Sequence, residues 1–206
     1  MTEFSNLLDG NKVIPVVAVD DVDTACHLSE ALLAGGVSVI EITLRTAAGL
    51  DAIRAVRDRF PAMLVGCGTI RQVDEVAMAL DAGSQFLVSP GGPTALAKQL
   101  AAAPVPALPG AATVTEMMTL FDLGFATQKF FPAGASGGPA MLKGVHPILP
   151  EISFCPTGGV SADTLNDYLA CPNVICVGGS WLAPNDLINA RDWASITKRA
   201  EDARAL

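Results

Sequence analysis

The sequence is poor in aromatic side chains, in histidine and in charge, and each shortage narrows what it can be. Phe, Trp and Tyr together make up 5% of the residues, so the core must be mainly aliphatic. Only His27 and His146 are present, the first in a helical pattern and the second in a Pro-rich turn. Neither falls in a ligand-type spacing, so both are read as structural or surface residues and no metal site is expected. Charged residues are 17% of the chain, with a formal net charge of −8. An acidic balance argues against nucleic acid or an anionic membrane as the main partner. It leaves room for a small anion, which a few oriented amides can hold against a distant field. No apolar run reaches the roughly 18 residues of a membrane span. The start, MTEFSNLLDG, has no basic stretch before an apolar core, so no secretory leader is expected. Cys26, Cys67, Cys155, Cys171 and Cys176 make an odd set without a CxxC pair. A reducing, cytoplasmic setting is the simplest reading.

Half of the 206 residues are hydrophobic, enough for one core and one domain over residues 1–206. Eight short β-rich runs cover 13–19, 37–44, 63–69, 85–90, 105–110, 127–133, 152–159 and 174–180. Helical patterns separate them, for example over 23–36, 50–60, 73–83 and 113–124, and a final helix is expected in the last fifteen or so residues. AGGVSVIEI (34–42), AGSQFLVS (82–89) and LGFATQKF (123–130) repeat one plan, in which a helix closes on glycine and the chain enters a strand. Strand–helix alternation implies a parallel sheet. The expected fold class is therefore α/β, a single-domain (β/α)8 TIM barrel with an extra N-terminal helix. An open doubly wound sheet is the alternative.

In such a barrel the chemistry sits at the C-terminal strand ends. The expected strands carry few charges, and those that stand out are Glu41 and Arg45 on the second and Lys129 on the sixth. Alternation puts Glu41, Thr43 and Arg45 on one face and Lys129 with Phe131 on one face, leaving Ile40, Ile42 and Leu44 toward the helices. Both sets then aim into the barrel. A buried charge needs a partner, so a Glu41–Lys129 ion pair that only fills space is one reading. The other is catalytic, since removing an amine from water favours its neutral, nucleophilic form.

Glycine gives the second signal. PTGG (156–159) ends the seventh strand and VGGS (177–180) the eighth, the two strands whose loops often bind phosphate in this fold. Glycine lets the backbone approach an anion. One such pair could be an ordinary turn; two at adjacent strand ends favour a phosphate site. GCGT (66–69) ends the third strand, where Thr69 could also cap the next helix, and SPGG (89–92) follows the fourth.

EITLRT (41–46), GCGT, SPGG, KFFPA (129–133), CPTGG (155–159) and VGGSW (177–181), in this order over nearly the whole chain, resemble the 2-keto-3-deoxy-6-phosphogluconate aldolases, also called 4-hydroxy-2-oxoglutarate aldolases. The resemblance implies a metal-independent class I aldolase without a cofactor, usually a homotrimer. Its partners would be a phosphorylated keto acid and pyruvate. By motif match, Lys129 is the Schiff-base lysine and Glu41 the acid/base. Arg45 and Thr69 hold the substrate carboxylate, Pro90 and Phe131 line the pocket, and Thr157 touches the hydroxylated middle. Gly158, Gly159, Gly179 and Ser180 hold the phosphate. Cys67 and Gly134 depart from the usual residues, commonly a small residue such as Ala and Glu. The implied reaction releases pyruvate and glyceraldehyde 3-phosphate. The same chemistry on 4-hydroxy-2-oxoglutarate or on the galactonate isomer is the alternative. Another phosphate-binding barrel enzyme, an epimerase or decarboxylase, and a sugar-phosphate sensor without turnover are the other classes considered.

Overall fold

Runs rich in Val and Ile become short parallel strands, as buried strands should. A computed structural model describes residues 4–205. The strands are β1 Val13–Val17, β2 Val39–Thr43, β3 Leu64–Gly68, β4 Phe86–Val88, β5 Ala107–Leu108, β6 Gly110–Ala111, β7 Thr127–Phe130, β8 Ser153–Pro156 and β9 Val177–Gly179. Six pair in the order β5-β4-β3-β2-β1-β9, and three in the order β6-β7-β8. Every pairing is parallel. Single bridges, Phe154 to Val174 and Thr157 to Gly178, join the two sheets.

The expected fifth strand, 105–110, is corrected to two pieces. Leu108 pairs toward β4 and Gly110 toward β7, with Pro109 between them. Proline has no amide to give to a ladder, although its carbonyl still accepts from Lys129 N at 3.0 Å. The sixth, seventh and eighth expected strands are thus β7, β8 and β9.

Ten helices lie among the described residues: α1 Phe4–Leu7, α2 Val22–Ala34, α3 Gly49–Arg59, α4 Val73–Asp81, α5 Thr94–Ala101, α6 Val114–Asp122, α7 Gly138–Val145, α8 Leu165–Leu169, α9 Asn185–Asn189 and α10 Trp193–Arg204. The result is an α/β fold with a curled parallel sheet. Helix starts follow side-chain chemistry. Asp21 accepts from Thr24 N at 2.7 Å, and Asp192 from Ser195 N at 3.1 Å. At α6 the Glu116 carboxylate reaches back to the amides of Ala112 and Thr113, both at 2.9 Å. Such caps satisfy amides that a helix start leaves unpaired. The three repeated glycines that follow helices, Gly36, Gly83 and Gly124, all have positive φ, the conformation that favours glycine there.

Large aliphatic side chains and three fully buried Phe fill the interior. Phe4 meets Phe86 edge-on, ring centroids 5.4 Å apart. Gly66 makes space for that ring, because a Cβ there would collide with Phe86. Burying one such ring contributes roughly 1.5–3 kcal/mol. At the C-terminus α10 lies close on α2, where Gly35 leaves room for Ala200 and Thr197 Oγ1 donates to Ala31 O at 3.0 Å. The five cysteines are buried and free. Among the described residues no helix is long and apolar enough to cross a membrane.

Candidate active site

Register brings the two isolated charges together. Glu41 on β2 and Lys129 on β7 are 88 residues apart in sequence. Both are buried, 3% and 5% exposed, and Lys129 Nζ lies 3.4 Å from Glu41 Oε1. The other ion pairs among the described residues lie at the surface, with side chains more than a third exposed. Glycine shapes this centre too. Gly68 stands beside Glu41, and a Cβ there would collide with its carboxylate. Gly110 is in register with Lys129. The amine also lies 5.3 Å from the centre of the Phe131 ring, within cation–π range when it is charged.

The pair lies in a cavity of about 260 Å³ that all the sequence-predicted site residues line. Arg45, Thr69, Pro90, Phe131 and Thr157 surround the pair, and Gly158, Gly159, Gly179 and Ser180 complete the wall. Glu41, Lys129 and Thr157 are buried, whereas Arg45, Gly159 and Ser180 are exposed. The cavity therefore has a floor bearing an amine and a carboxylate and a mouth bearing anion-type donors. Gly158 and Gly159 both have positive φ, a backbone that side-chain-bearing residues avoid. Gly178 leaves space for the Thr157 hydroxyl, which a Cβ there would strike.

Two local expectations change. Arg45 is not in the second strand, which ends at Thr43; it sits in the turn that follows. It still reaches the cavity, and its Nε donates to Thr43 Oγ1 at 3.0 Å. Thr69 does not cap a helix. Its φ is +63°, and the cap of α4 is Gln72, beside which Glu75 accepts from the Arg71 and Gln72 amides. Sequence reasoning missed Val16 and Val160 in the cavity wall. Val16 is in register with Glu41, a pairing that no sequence spacing reveals.

Two of the buried thiols are held protonated. Burial, with the nearby Glu41 and Glu75 carboxylates adding to it, pushes the Cys67 thiol far above the usual range. Hydrogen bonding with Cys155, then burial, does the same for Cys176. A thiol held protonated is a poor nucleophile. Among the described residues no three His, Cys, Asp or Glu gather as a metal-binding set.

Fold and site together define a parallel α/β protein with an amine–carboxylate centre inside its curled sheet. The family of KDPG and KHG aldolases matches residues 4–199, and the chain belongs to that family. It is 42% identical over 202 residues to the KHG/KDPG aldolase of Escherichia coli (strain K12), covering 98% of this chain and 95% of that one. The solved structure of KDPG aldolase from Legionella pneumophila, with pyruvate captured as a covalent carbinolamine, superposes with a TM-score of 0.95. It is 37% identical, with 98% of both chains covered. The 2-keto-3-deoxy-6-phosphogluconate aldolase of Zymomonas mobilis ZM4, solved with 3-phosphoglycerate, gives 0.93 at 38% identity, covering all of this chain and 96% of that one.

Proposed function

We propose that this chain is a class I aldolase that cleaves 2-keto-3-deoxy-6-phosphogluconate to pyruvate and glyceraldehyde 3-phosphate, with Lys129 as the Schiff-base nucleophile. The observation that carries this is the buried amine 3.4 Å from a buried carboxylate inside a cavity with anion-type donors. The neutral Lys129 amine adds to the keto carbon, and the keto oxygen takes a proton to give a carbinolamine. Glu41, in its acid form, protonates the departing hydroxyl, so water leaves and a protonated imine remains. Glu41, now a carboxylate, accepts the proton of the 4-hydroxyl. That oxygen becomes the aldehyde as the bond between C3 and C4 breaks. Its electrons pass to the imine and give an enamine. Glyceraldehyde 3-phosphate departs, C3 takes up a proton, and water hydrolyses the imine to pyruvate and free Lys129.

Arg45 and Thr69 hold the carboxylate, the planar guanidinium suiting two oxygens. Gly158, Gly159, Gly179 and Ser180 hold the phosphate through amides and a hydroxyl. Pro90 and Phe131 form the wall, and Thr157 touches the hydroxylated middle. Anchoring both ends places the keto carbon at the amine, which is catalysis by orientation. The strands act as an eight-stranded barrel of one domain, with β5 and β6 as halves of one strand and α1 as the extra N-terminal helix. The motif resemblance implies a homotrimer, and five free, buried cysteines suit a reducing, cytoplasmic setting. Light scattering should then give three times the 21.2 kDa of the chain; a monomer contradicts the trimer.

Borohydride reduction in the presence of pyruvate tests the reading. Mass should be added at Lys129, and labelling elsewhere, or none, overturns it. The paired name of the Escherichia coli relative favours a second substrate, 4-hydroxy-2-oxoglutarate, and the galactonate isomer is a third. Rates on the three decide among them. The doubled glycine ends favour the phosphorylated ones.

A further inference from the structure

Thr43 is fully enclosed, 1% exposed, at the last position of β2. Its hydroxyl donates to the Val17 carbonyl on β1 at 2.8 Å. With its one hydrogen so committed, the oxygen can only accept. The group that donates to it is Arg45 Nε, at 3.0 Å. A guanidinium offers two forks to a carboxylate: one formed by Nε with a terminal nitrogen, the other by the two terminal nitrogens. Thr43 takes Nε out of the first fork. Among the described residues Arg45 makes no ion pair, and Nε carries its one hydrogen bond to the protein. Its two terminal nitrogens therefore stay available at the cavity wall. We propose that Thr43 is a positioning residue, which anchors Arg45 through Nε and so fixes an end-on clamp for the substrate carboxylate.

The inference rests on the proposed role of Arg45. It adds a reason for the second polar residue in a strand that, Glu41 apart, is apolar: a side chain of valine's shape would fill the same space, but it could neither donate to the Val17 carbonyl nor accept from Nε. The chain from β1 to Arg45 runs through one hydroxyl, so the guanidinium of an exposed turn residue inherits its position from the buried sheet. A mobile guanidinium would have to be ordered anew at each binding event, and ordering a long side chain weakens binding.

The experiment compares Thr43→Val, Thr43→Ser and Arg45→Met with the parent chain. The readout is the pyruvate concentration that half-saturates borohydride trapping at Lys129, with kcat measured alongside. Arg45→Met should raise the half-saturating concentration; if it does not, the carboxylate role of Arg45 fails, and this proposal with it. With that role intact, Thr43→Val should raise it by about 5–10-fold, the scale of one hydrogen bond, with a smaller change in kcat. Thr43→Ser, which keeps the hydroxyl, should stay within about 2-fold of the parent. In the Arg45→Met background Thr43→Val should have almost no further effect, because the two act as a unit. An unchanged value in Thr43→Val, equal losses in Val and Ser, or additive losses in the double variant each overturn the positioning role. Should Thr43→Val not fold, Thr43→Ala removes the same hydroxyl and is read in the same way.

Discussion

At the scale of single residues, the site depends on what stands beside Glu41. Its carboxylate faces Lys129 on one side and the bare Cα of Gly68 on another. Glu41→Gln keeps shape but cannot exchange protons. Its kcat should fall by about 10²–10⁴-fold while pyruvate still saturates near the parent concentration. An equally active variant would remove Glu41 from the mechanism. Gly68→Ala tests the space rather than the chemistry. The new methyl group must displace the carboxylate, and a displacement of that kind costs about 10–10²-fold in kcat/KM; full activity would show that Glu41 has freedom the geometry denies. The buried amine–carboxylate pair was legible because charges are rare in buried strands and side chains alternate. The Gly68 contact and Val16 were not, since each depends on register between separate strands; the tie between Thr43 and Arg45 is local, but it forms only because the strand ends at Thr43 and Arg45 lies in the turn that follows.

At the scale of elements, strand cores were legible and their ends were not. The apolar run 37–44 reads as one strand, yet pairing covers Val39–Thr43, because Leu44 and Arg45 already belong to the turn. Prolines explain the broken fifth strand, where Pro109 interrupts a run that is otherwise extended. Helix starts are better marked, and α6 shows why they matter. Hydrogen bonds from the backbone of Ala112, together with the amide and side chain of Thr113, hold the Glu116 carboxyl below the usual range against a smaller opposing effect of burial. A carboxyl lowered on folding contributes stability that is present above its unfolded pKa, near 4.5, and lost as pH falls through the folded value. Glu116→Ala should therefore lower stability by about 0.5–1 kcal/mol near pH 7, the lower part of the capping range because the site is exposed. The gap between variant and parent should narrow as pH falls below about 4.5. Urea melts at pH 7 and pH 3.5 check this; a gap that widens on acidification gives the wrong sign.

At the scale of the whole molecule, a chain of net charge −8 must capture an anion with charge at both ends. The general field opposes this, so selection falls to local donors inside the cavity. Arg45 and Lys129 are the basic side chains in the lining, and the positions assigned to phosphate offer amides and the Ser180 hydroxyl instead. Such donors work because they are fixed by the sheet before the anion arrives, and oriented amides lose little on binding. The substrate without its phosphate should then lose at least about 10²-fold in kcat/KM, the scale of two or more hydrogen bonds to a charged group. Half-saturation by pyruvate, which has no phosphate, should be unaffected when Ser180 is changed to Ala. The same electron flow into an imine should leave turnover unchanged in EDTA. Steady-state rates on the two substrates make the decisive comparison. Equal values would mean that the glycine ends of β8 and β9 are turns of the fold and that the carboxylate end alone selects the substrate.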